Sequence, residues 1–201
     1  MNNPRNDIKK YDTIILGSGI AGLNLARQLA SGGQRVFLAS KEAVTEGSSK
    51  YAQGGIAVAN IDKDPSSIQS HIEDTIKAGN GLCDEKIVEQ VLRKGWQELK
   101  VLINLGVEFD AENNLEAAHS AKRVFHNADA TGREIMRVLL DKVSRSNKVD
   151  ISQGAEAVSL IKNKVTKSIV GVSFVDVTNQ EFDVFADNVV LACGGYAALF
   201  K

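Results

Sequence analysis

The chain has 201 residues, of which 43% are apolar and 24% charged, as in ordinary globular proteins and unlike disordered, collagen-like or disulfide-dense chains. Lys and Arg together number 24 and Asp and Glu 25, which leaves a net charge of −1. This balance gives no electrostatic reason to expect nucleic acid or an anionic membrane as a partner.

The cellular setting predicted from the sequence is the cytoplasm. The first ten residues are polar and contain no apolar signal-peptide core. Nowhere does an apolar run approach the roughly 20 residues that a membrane helix needs. Cys83 and Cys193 are far apart in sequence, which predicts neither a disulfide framework nor a metal site.

The first predicted elements are a strand, a glycine-rich turn, a helix and a second strand. Residues 11–16 (YDTIIL) form an apolar run that leads into residues 17–22 (GSGIAG). Apolar residues then recur at helical spacing until Gly32 and Gly33, and residues 35–39 (RVFLA) read as a second buried strand. This order predicts a βαβ unit with a parallel sheet.

The turn carries the spacing G-x-G-x-x-G in the context that a dinucleotide site requires. Gly17 would permit the tight turn, Gly19 would let a pyrophosphate approach the backbone, and Gly22 would let the helix pack closely. The amino end of the helix offers N–H groups and a positive dipole end to phosphates. We therefore predict a bound dinucleotide; a glycine-rich turn without ligand is the alternative.

The acidic residue that usually follows the second strand is missing. Its place is taken by Ser40 and Lys41, with Glu42 next. Ser40 is a candidate for a ribose hydroxyl. For Lys41 two interpretations stay open, a contact near the adenosine and an exposed loop lysine.

Three further helices are predicted after a long loop over residues 41–65, a length typical of functional loops. Ser66 with Gln69, and Thr131 with Glu134, have the spacing of capping boxes. Between them, Asp84 and Gly106 are the predicted caps of a helix whose buried stripe is Ile87, Val91, Leu92, Leu99, Leu102 and Ile103.

The last third of the chain predicts strands joined by polar turns. The strands are residues 149–152, 157–161, 169–177, 181–185 and 188–192, followed by Cys193, Gly194 and Gly195.

Several blocks in this order resemble the L-aspartate oxidases, a family of the succinate dehydrogenase/fumarate reductase flavoprotein superfamily. The blocks are residues 11–22, 40–41, 45–48, 51–57 (YAQGGIA), 78–84, His119-Ser120, Arg123, His126, 128–134 (ADATGRE) and 192–195. The resemblance implies an α/β, Rossmann-like doubly wound FAD-binding domain with β-rich insertions. Because the family's enzymes are much longer, residues 1–201 are expected to be the N-terminal part of that domain, without the capping and C-terminal helical domains.

The resemblance also implies the residues that line FAD. Respiratory relatives link FAD covalently to a histidine that aligns with Ser48, so a noncovalent cofactor is expected here. The implied cofactor-binding residues are Gly17, Ser18, Gly19, Ile20, Ala21, Gly22, Ser40, Lys41, Ser48, Ser49, Lys50, Tyr51, Ala52, Gln53, Gly54, Gly55, Ala192, Gly194 and Gly195.

The implied reaction is oxidation of L-aspartate, or a related dicarboxylate, to iminoaspartate, with oxygen or fumarate as electron acceptor. Iminoaspartate is the precursor that quinolinate synthase, a possible partner, uses in NAD biosynthesis. Glu116 matches the glutamate that orients the substrate ammonium. Leu115 stands where the family has an arginine, and Ala117 and Ala118 replace two glycines.

Alternatives stay open for the residues and for the function. Glu116 is either this orienting group or a solvated loop acid. His119 and His126 are either catalytic or structural, and Arg123 either meets a carboxylate or is a surface charge. A soluble fumarate reductase or succinate dehydrogenase-like flavoprotein is one alternative function, and a catalytically incomplete FAD-binding fragment is another.

Overall fold

The computed structural model describes residues 10–116 and 118–195. They divide into two compact units, one containing residues up to Lys50 and from Leu139 onward, the other Tyr51–Val138. In chain order the elements are β1 (Lys10–Leu16), α1 (Ile20–Ser31), β2 (Val36–Ser40), β3 (Ile56–Ala57), α2 (Ser67–Ala78), α3 (Glu85–Leu105), β4 (Val124–Phe125), α4 (Thr131–Ser144), β5 (Val149–Gln153), β6 (Glu156–Lys162), β7 (Ile169–Val175) and β8 (Glu181–Leu191).

The first unit is built around a sheet in the order β5-β2-β1-β8-β7-β6. Neighbours from β5 through β8 pair in parallel, whereas β7 and β6 are added in antiparallel fashion. β1, α1 and β2 form a βαβ unit, in which β1 and β2 pair in parallel with Thr13 opposite Val36. The predicted α/β fold with a parallel-rich sheet is therefore confirmed.

The final strand differs from the prediction. Residues 181–185 and 188–192 were expected to be two strands, but they form the single strand β8. Its first half pairs with β7, and its second half pairs with β1, where Asn188 lies opposite Thr13. The Asn188 side chain donates to the Asp12 carbonyl at 3.1 Å, so the polar residues in the middle of β8 stay in the ladder.

Apolar and aromatic side chains of four strands, β1, β2, β7 and β8, fill the core of this unit. Ile14 on β1, Phe37 on β2 and Phe174 on β7 are buried in one cluster. The Phe37 and Phe174 rings meet edge to face with centroids 5.6 Å apart. Strands buried on both faces in this way explain why β1 and β2 read as continuous apolar runs.

The second unit contains α2, α3, the β3-β4 pair and the beginning of α4. Ile68 and Ile72 of α2 are buried in a cluster that Val88 and Leu92 of α3 pack against. The predicted caps of α3 are confirmed. The Asp84 side chain accepts from Lys86 N–H and Ile87 N–H at 3.0 and 3.2 Å, and Gly106 ends the helix.

Both predicted capping boxes are wrong. Ser66 has helical backbone angles and its side chain caps nothing. Thr131 is the first residue of α4, and its hydroxyl accepts from Asn127 N–H at 3.0 Å. Glu134 instead binds the Arg137 guanidinium. The spacing alone did not identify caps, because other groups close in sequence form hydrogen bonds with these side chains: Asp64 with Ser66, Asn127 with Thr131 and Arg137 with Glu134.

The stripe predicted for α3 is only partly buried. Leu99 is 1% exposed, but Ile87 and Val91 are 54% and 59% exposed. Periodicity identified the helix correctly; it did not establish how much of its apolar side is covered. Within residues 10–116 and 118–195, no helix has both the length and the apolar character needed to span a membrane.

Candidate functional site

The glycine-rich turn between β1 and α1 is close-packed by the backbone around it. Gly17 has φ +109°, and a Cβ there would lie 2.3 Å from the Ala192 carbonyl oxygen. A Cβ on Gly22 would lie 1.9 Å from the Gly17 carbonyl oxygen. Both positions therefore require glycine for reasons internal to the fold. Gly17 allows the turn to meet the end of β8, and Gly22 allows α1 to pack on the turn.

Gly19 differs, because the fold leaves space beside it. Among the described residues, a Cβ there would meet only the Ser49 hydroxyl, at 3.2 Å. Gly19 is the N-cap of α1 and has no side chain to cap the helix, and no acid lies in the first turn. Ile20 N–H donates to the Ser49 hydroxyl, and the rest of the first turn, including Ala21, presents N–H groups that a phosphate can accept from. This arrangement fits the predicted pyrophosphate site.

The Ser48–Ser49–Lys50 segment belongs to the same unit as the turn. The Ser49 hydroxyl accepts from Ile20 N–H at 3.3 Å, which fixes the segment beside the start of α1. Ser48 is exposed, and the Lys50 ammonium pairs with Glu46. Sequence reasoning placed Ser49 among the cofactor residues but did not anticipate this link, because no local pattern relates positions 29 residues apart.

The carboxyl end of β2 lies next to the turn. The Ser18 hydroxyl donates to the Ser40 hydroxyl at 3.1 Å, and both side chains are buried. Lys41 follows, exposed, with its ammonium 2.8 Å from the Glu156 carboxylate. This hydrogen bond and the nearby negative charge raise the pKa of Lys41. Sequence reasoning did not find Glu156, which lies 115 residues further along the chain.

The residues after β8 lie beside the glycine-rich turn. Ala192 N–H donates to the Leu16 carbonyl at 2.8 Å, so Ala192 lies against the turn. At Gly194 and Gly195 an added Cβ would have no described atom within 4 Å. Among the predicted cofactor residues, the structure thus brings together those of 17–22, 40–41, 48–50 and 192–195 in one unit.

Residues 51–55 of the predicted cofactor set lie in the other unit. The Ala52 carbonyl accepts from Gly132 N–H at 3.0 Å, which joins the YAQGGIA and ADATGRE blocks. A Cβ on Gly55 would lie 2.3 Å from the Phe125 carbonyl oxygen, so packing on β4 already requires glycine at this position. A Cβ on Gly54 would have no described atom within 4 Å, and the side chains of Tyr51 and Gln53 are exposed. Contacts of residues 51–55 with FAD stay a prediction.

Glu116, the predicted substrate-orienting residue, is exposed in the second unit. Its carbonyl accepts from His119 N–H at 3.3 Å. The segment that follows is held by Asp74 of α2, whose Oδ2 accepts from the Ser120 N–H at 2.7 Å and from the Ser120 hydroxyl at 2.8 Å. Ala117 lies outside the described residues.

Arg123 meets a carboxylate inside the unit, so the surface-charge alternative is excluded. Its side chain is 3% exposed, and its guanidinium lies 2.7 Å from Asp74 Oδ2 and 2.9 Å from the Ser70 hydroxyl. The bonds from Ser120, together with Arg123, lower the pKa of Asp74 to about 2. Neither Asp74 nor Ser70 had a signal in the sequence beyond lying on α2.

The three histidines divide between core and loop. His71 is buried, and its ring lies edge to face on that of His119, with centroids 5.2 Å apart. Burial, followed by the charges of Arg123 and His119, lowers the pKa of His71 to about 4. His126 Nδ1 lies 2.8 Å from the Asp110 carboxylate. Among residues 10–116 and 118–195 no cluster of His, Cys, Asp and Glu is arranged to hold a metal ion.

Comparison with known proteins agrees with the geometry of the turn. The FAD binding domain family matches residues 12–201. The chain is 38% identical to an L-aspartate oxidase of Yersinia pestis over 94% of its own length and 38% of that protein. It is 41% identical to an L-aspartate oxidase of a Nostoc strain over 95% of its length and 33% of that protein. A quinol fumarate reductase subunit of E. coli shares the fold, with a TM-score of 0.82 and 21% identity over 96% of this chain and 34% of that one.

The chain thus spans about a third of the length of the curated relatives it matches. The similarity to L-aspartate oxidases inferred from the sequence blocks is confirmed. So is FAD as the cofactor of this type of domain. With the glycine-rich turn before α1 and this match over residues 12–201, the chain belongs to the FAD binding domain family.

Proposed function

We propose that this chain binds FAD noncovalently, with the pyrophosphate at the amino end of α1. The observation that supports this most directly is the space beside Gly19, at a helix end whose N-cap residue carries no side chain. Phosphate oxygens accept from N–H groups at such an end and are favoured by the helix dipole. Ser48 at the position of the flavin-linking histidine supports noncovalent binding, since serine cannot form a histidyl–flavin bond.

We further propose that a full-length enzyme containing this sequence oxidises L-aspartate to iminoaspartate. The bound flavin would supply the redox chemistry by accepting a hydride from the substrate. This chain would hold the flavin and contribute Glu116, whose carboxylate faces the substrate ammonium. The names and 38–41% identity of the relatives support this assignment.

The acceptor would be oxygen or fumarate, and the iminoaspartate would serve quinolinate synthase in NAD biosynthesis. A cytoplasmic location is part of the same proposal. Groups that clamp the far side of the substrate would come from the segments that the longer relatives possess. The 201-residue chain alone would therefore be catalytically incomplete, because catalysis needs groups placed on both sides of the reacting bond.

A fumarate reductase is the second candidate function, favoured by the fold shared with the E. coli quinol fumarate reductase. The lower identity of that chain, 21%, and the serine at position 48 weigh against it. Fold likeness by itself does not assign a reaction.

Titration of the 201-residue chain with FAD, followed by flavin fluorescence, tests the binding proposal. We expect saturable binding, and acid precipitation of the loaded protein should leave the yellow colour in the supernatant. Flavin retained in the pellet would contradict noncovalent attachment. Addition of aspartate should produce no peroxide or oxaloacetate, and turnover near that of a complete L-aspartate oxidase would show that the site is not shared with further segments.

A further inference from the structure

The ribose end of the predicted dinucleotide site lacks its usual acid. Dinucleotide-binding folds commonly place an Asp or Glu at the end of the second strand, where it accepts hydrogen bonds from the ribose hydroxyls. Here β2 ends at Ser40 and Lys41 follows. The structure brings a different acid to this point, because Glu156 Oε1 lies 2.8 Å from Lys41 Nζ.

Glu156 is placed there by the turn between β5 and β6. β5 runs parallel to β2 with Gln153 opposite Ser40. Ala155 N–H donates to the Ser40 carbonyl at 3.0 Å, and the Gln153 side chain accepts from Val44 N–H at 2.9 Å. These two bonds tie the turn to the chain on both sides of Lys41, so the first residue of β6 is presented at the carboxyl end of β2.

This position is on the ligand-binding edge of the sheet. In open α/β sheets ligands bind outside the carboxyl ends of the strands. The buried bond between the Ser18 and Ser40 hydroxyls connects this point with the glycine-rich turn. The site therefore adjoins the pyrophosphate site, as the ribose of an adenosine diphosphate group requires.

Both charged groups remain available to a ligand. The Lys41 and Glu156 side chains are 67% and 53% exposed. Ion pairs this exposed contribute little to folding stability. A carboxylate accepts two O–H donors well, so it suits the vicinal 2′ and 3′ hydroxyls of a ribose.

We propose that Glu156 is a further cofactor-binding residue, which accepts from the adenosine ribose hydroxyls of FAD while Lys41 holds its carboxylate in place. This assignment rests on the proposed binding of FAD. In this assignment the acid of the dinucleotide site lies at the start of β6 instead of at the end of the second strand.

The test compares FAD affinity of the 201-residue chain with that of two variants, Glu156→Gln and the matched control Glu42→Gln. Glu42 also lies near enough to Lys41 to raise its pKa, but its side chain is not hydrogen-bonded to the Lys41 ammonium. Loss of a hydrogen bond to a charged acceptor predicts that Glu156→Gln binds FAD about tenfold more weakly. Glu42→Gln should stay within about twofold of the wild-type chain, a change well below the loss of one hydrogen bond.

Competition by ADP and by 2′,3′-dideoxy-ADP tests the same contact without a substitution. The wild-type chain should prefer ADP, and Glu156→Gln should lose that preference. Equal competition by both nucleotides at the wild-type chain, unchanged FAD affinity in Glu156→Gln, or equal weakening in Glu42→Gln would each overturn the assignment while leaving FAD binding intact. Absence of FAD binding by the wild-type chain would instead overturn the proposed function and this inference with it.

Discussion

Replacement of Gly19 by Val separates the cofactor role of the turn from its folding role. The backbone of Gly19 has φ −68° and ψ −178°, an extended conformation that valine adopts without strain. The only described atom near an added Cβ is the Ser49 hydroxyl, at 3.2 Å, and that side chain can move by a few tenths of an ångström. An apolar residue at an N-cap should destabilise the protein by only about 1 kcal/mol.

The effect on FAD should be larger. A phosphate oxygen must come within about 3 Å of an α1 N–H group to accept from it, and the valine side chain would occupy part of that approach. If this clash weakens the binding free energy of FAD by about 1.4 kcal/mol, affinity already falls tenfold. We therefore expect a tenfold or greater increase in the Kd for FAD.

The assay is fluorescence titration with FAD, alongside thermal unfolding of the free protein. Gly32→Ala, at the opposite end of α1, is the control, because Gly32 has φ −79° and an added Cβ there would make an ordinary 3.4 Å contact with the Leu29 carbonyl. Wild-type affinity in a folded Gly19→Val protein would refute the placement of the pyrophosphate.

Three further predictions follow from the geometry. Gly22→Ala should destabilise the free protein by about 1–3 kcal/mol, because its Cβ would lie 1.9 Å from the Gly17 carbonyl oxygen; an unchanged urea midpoint would contradict this. Burial lowers the pKa of His71 in the folded protein to about 4, from an ordinary 6.5. As the pH falls from 6.5 to 4, His71 therefore takes up a proton in the unfolded chain but not in the folded one, and the free energy of unfolding should fall. His71→Gln should reduce that slope in urea titrations at stepped pH, and an identical slope would exclude His71 as its source. In a chimera that carries residues 10–195 within the Yersinia pestis L-aspartate oxidase, Glu116→Ala should lower kcat/KM for aspartate more than for fumarate, because only aspartate has an ammonium group; equal losses would remove the proposed role of Glu116.

Local patterns were sufficient to predict the elements around the turn. Continuous apolar runs before Gly17 and after Gly33 predicted β1 and β2, because strands buried on both faces exclude polar residues. Helical spacing between them predicted α1, and Asp84 and Gly106 predicted the ends of α3 from short-range capping chemistry. These features depend on residues a few positions apart, so they are legible without tertiary structure.

The roles of individual side chains were predicted less successfully than the elements. Ser66 and Thr131 have cap spacing without capping, and Ile87 and Val91 have core spacing without burial. Gly55 suggested contact with a cofactor, although packing against Phe125 is sufficient to require glycine there. In each case the local pattern describes what a residue is able to do, and its neighbours in space determine what it does.

The sequence by itself thus determined the βαβ unit, the glycine spacing of a phosphate-binding turn and the similarity to FAD-dependent oxidases. Only the tertiary structure showed that β8 runs unbroken beside β1, that Asp74 binds Ser120 and Arg123, and that Glu156 reaches Lys41. The physical reason is range. Strand, turn and helix propensities act within a few residues. Hydrogen bonds and ion pairs between distant segments, such as that between Lys41 and Glu156, 115 residues apart, exist only once the sheet has set their register.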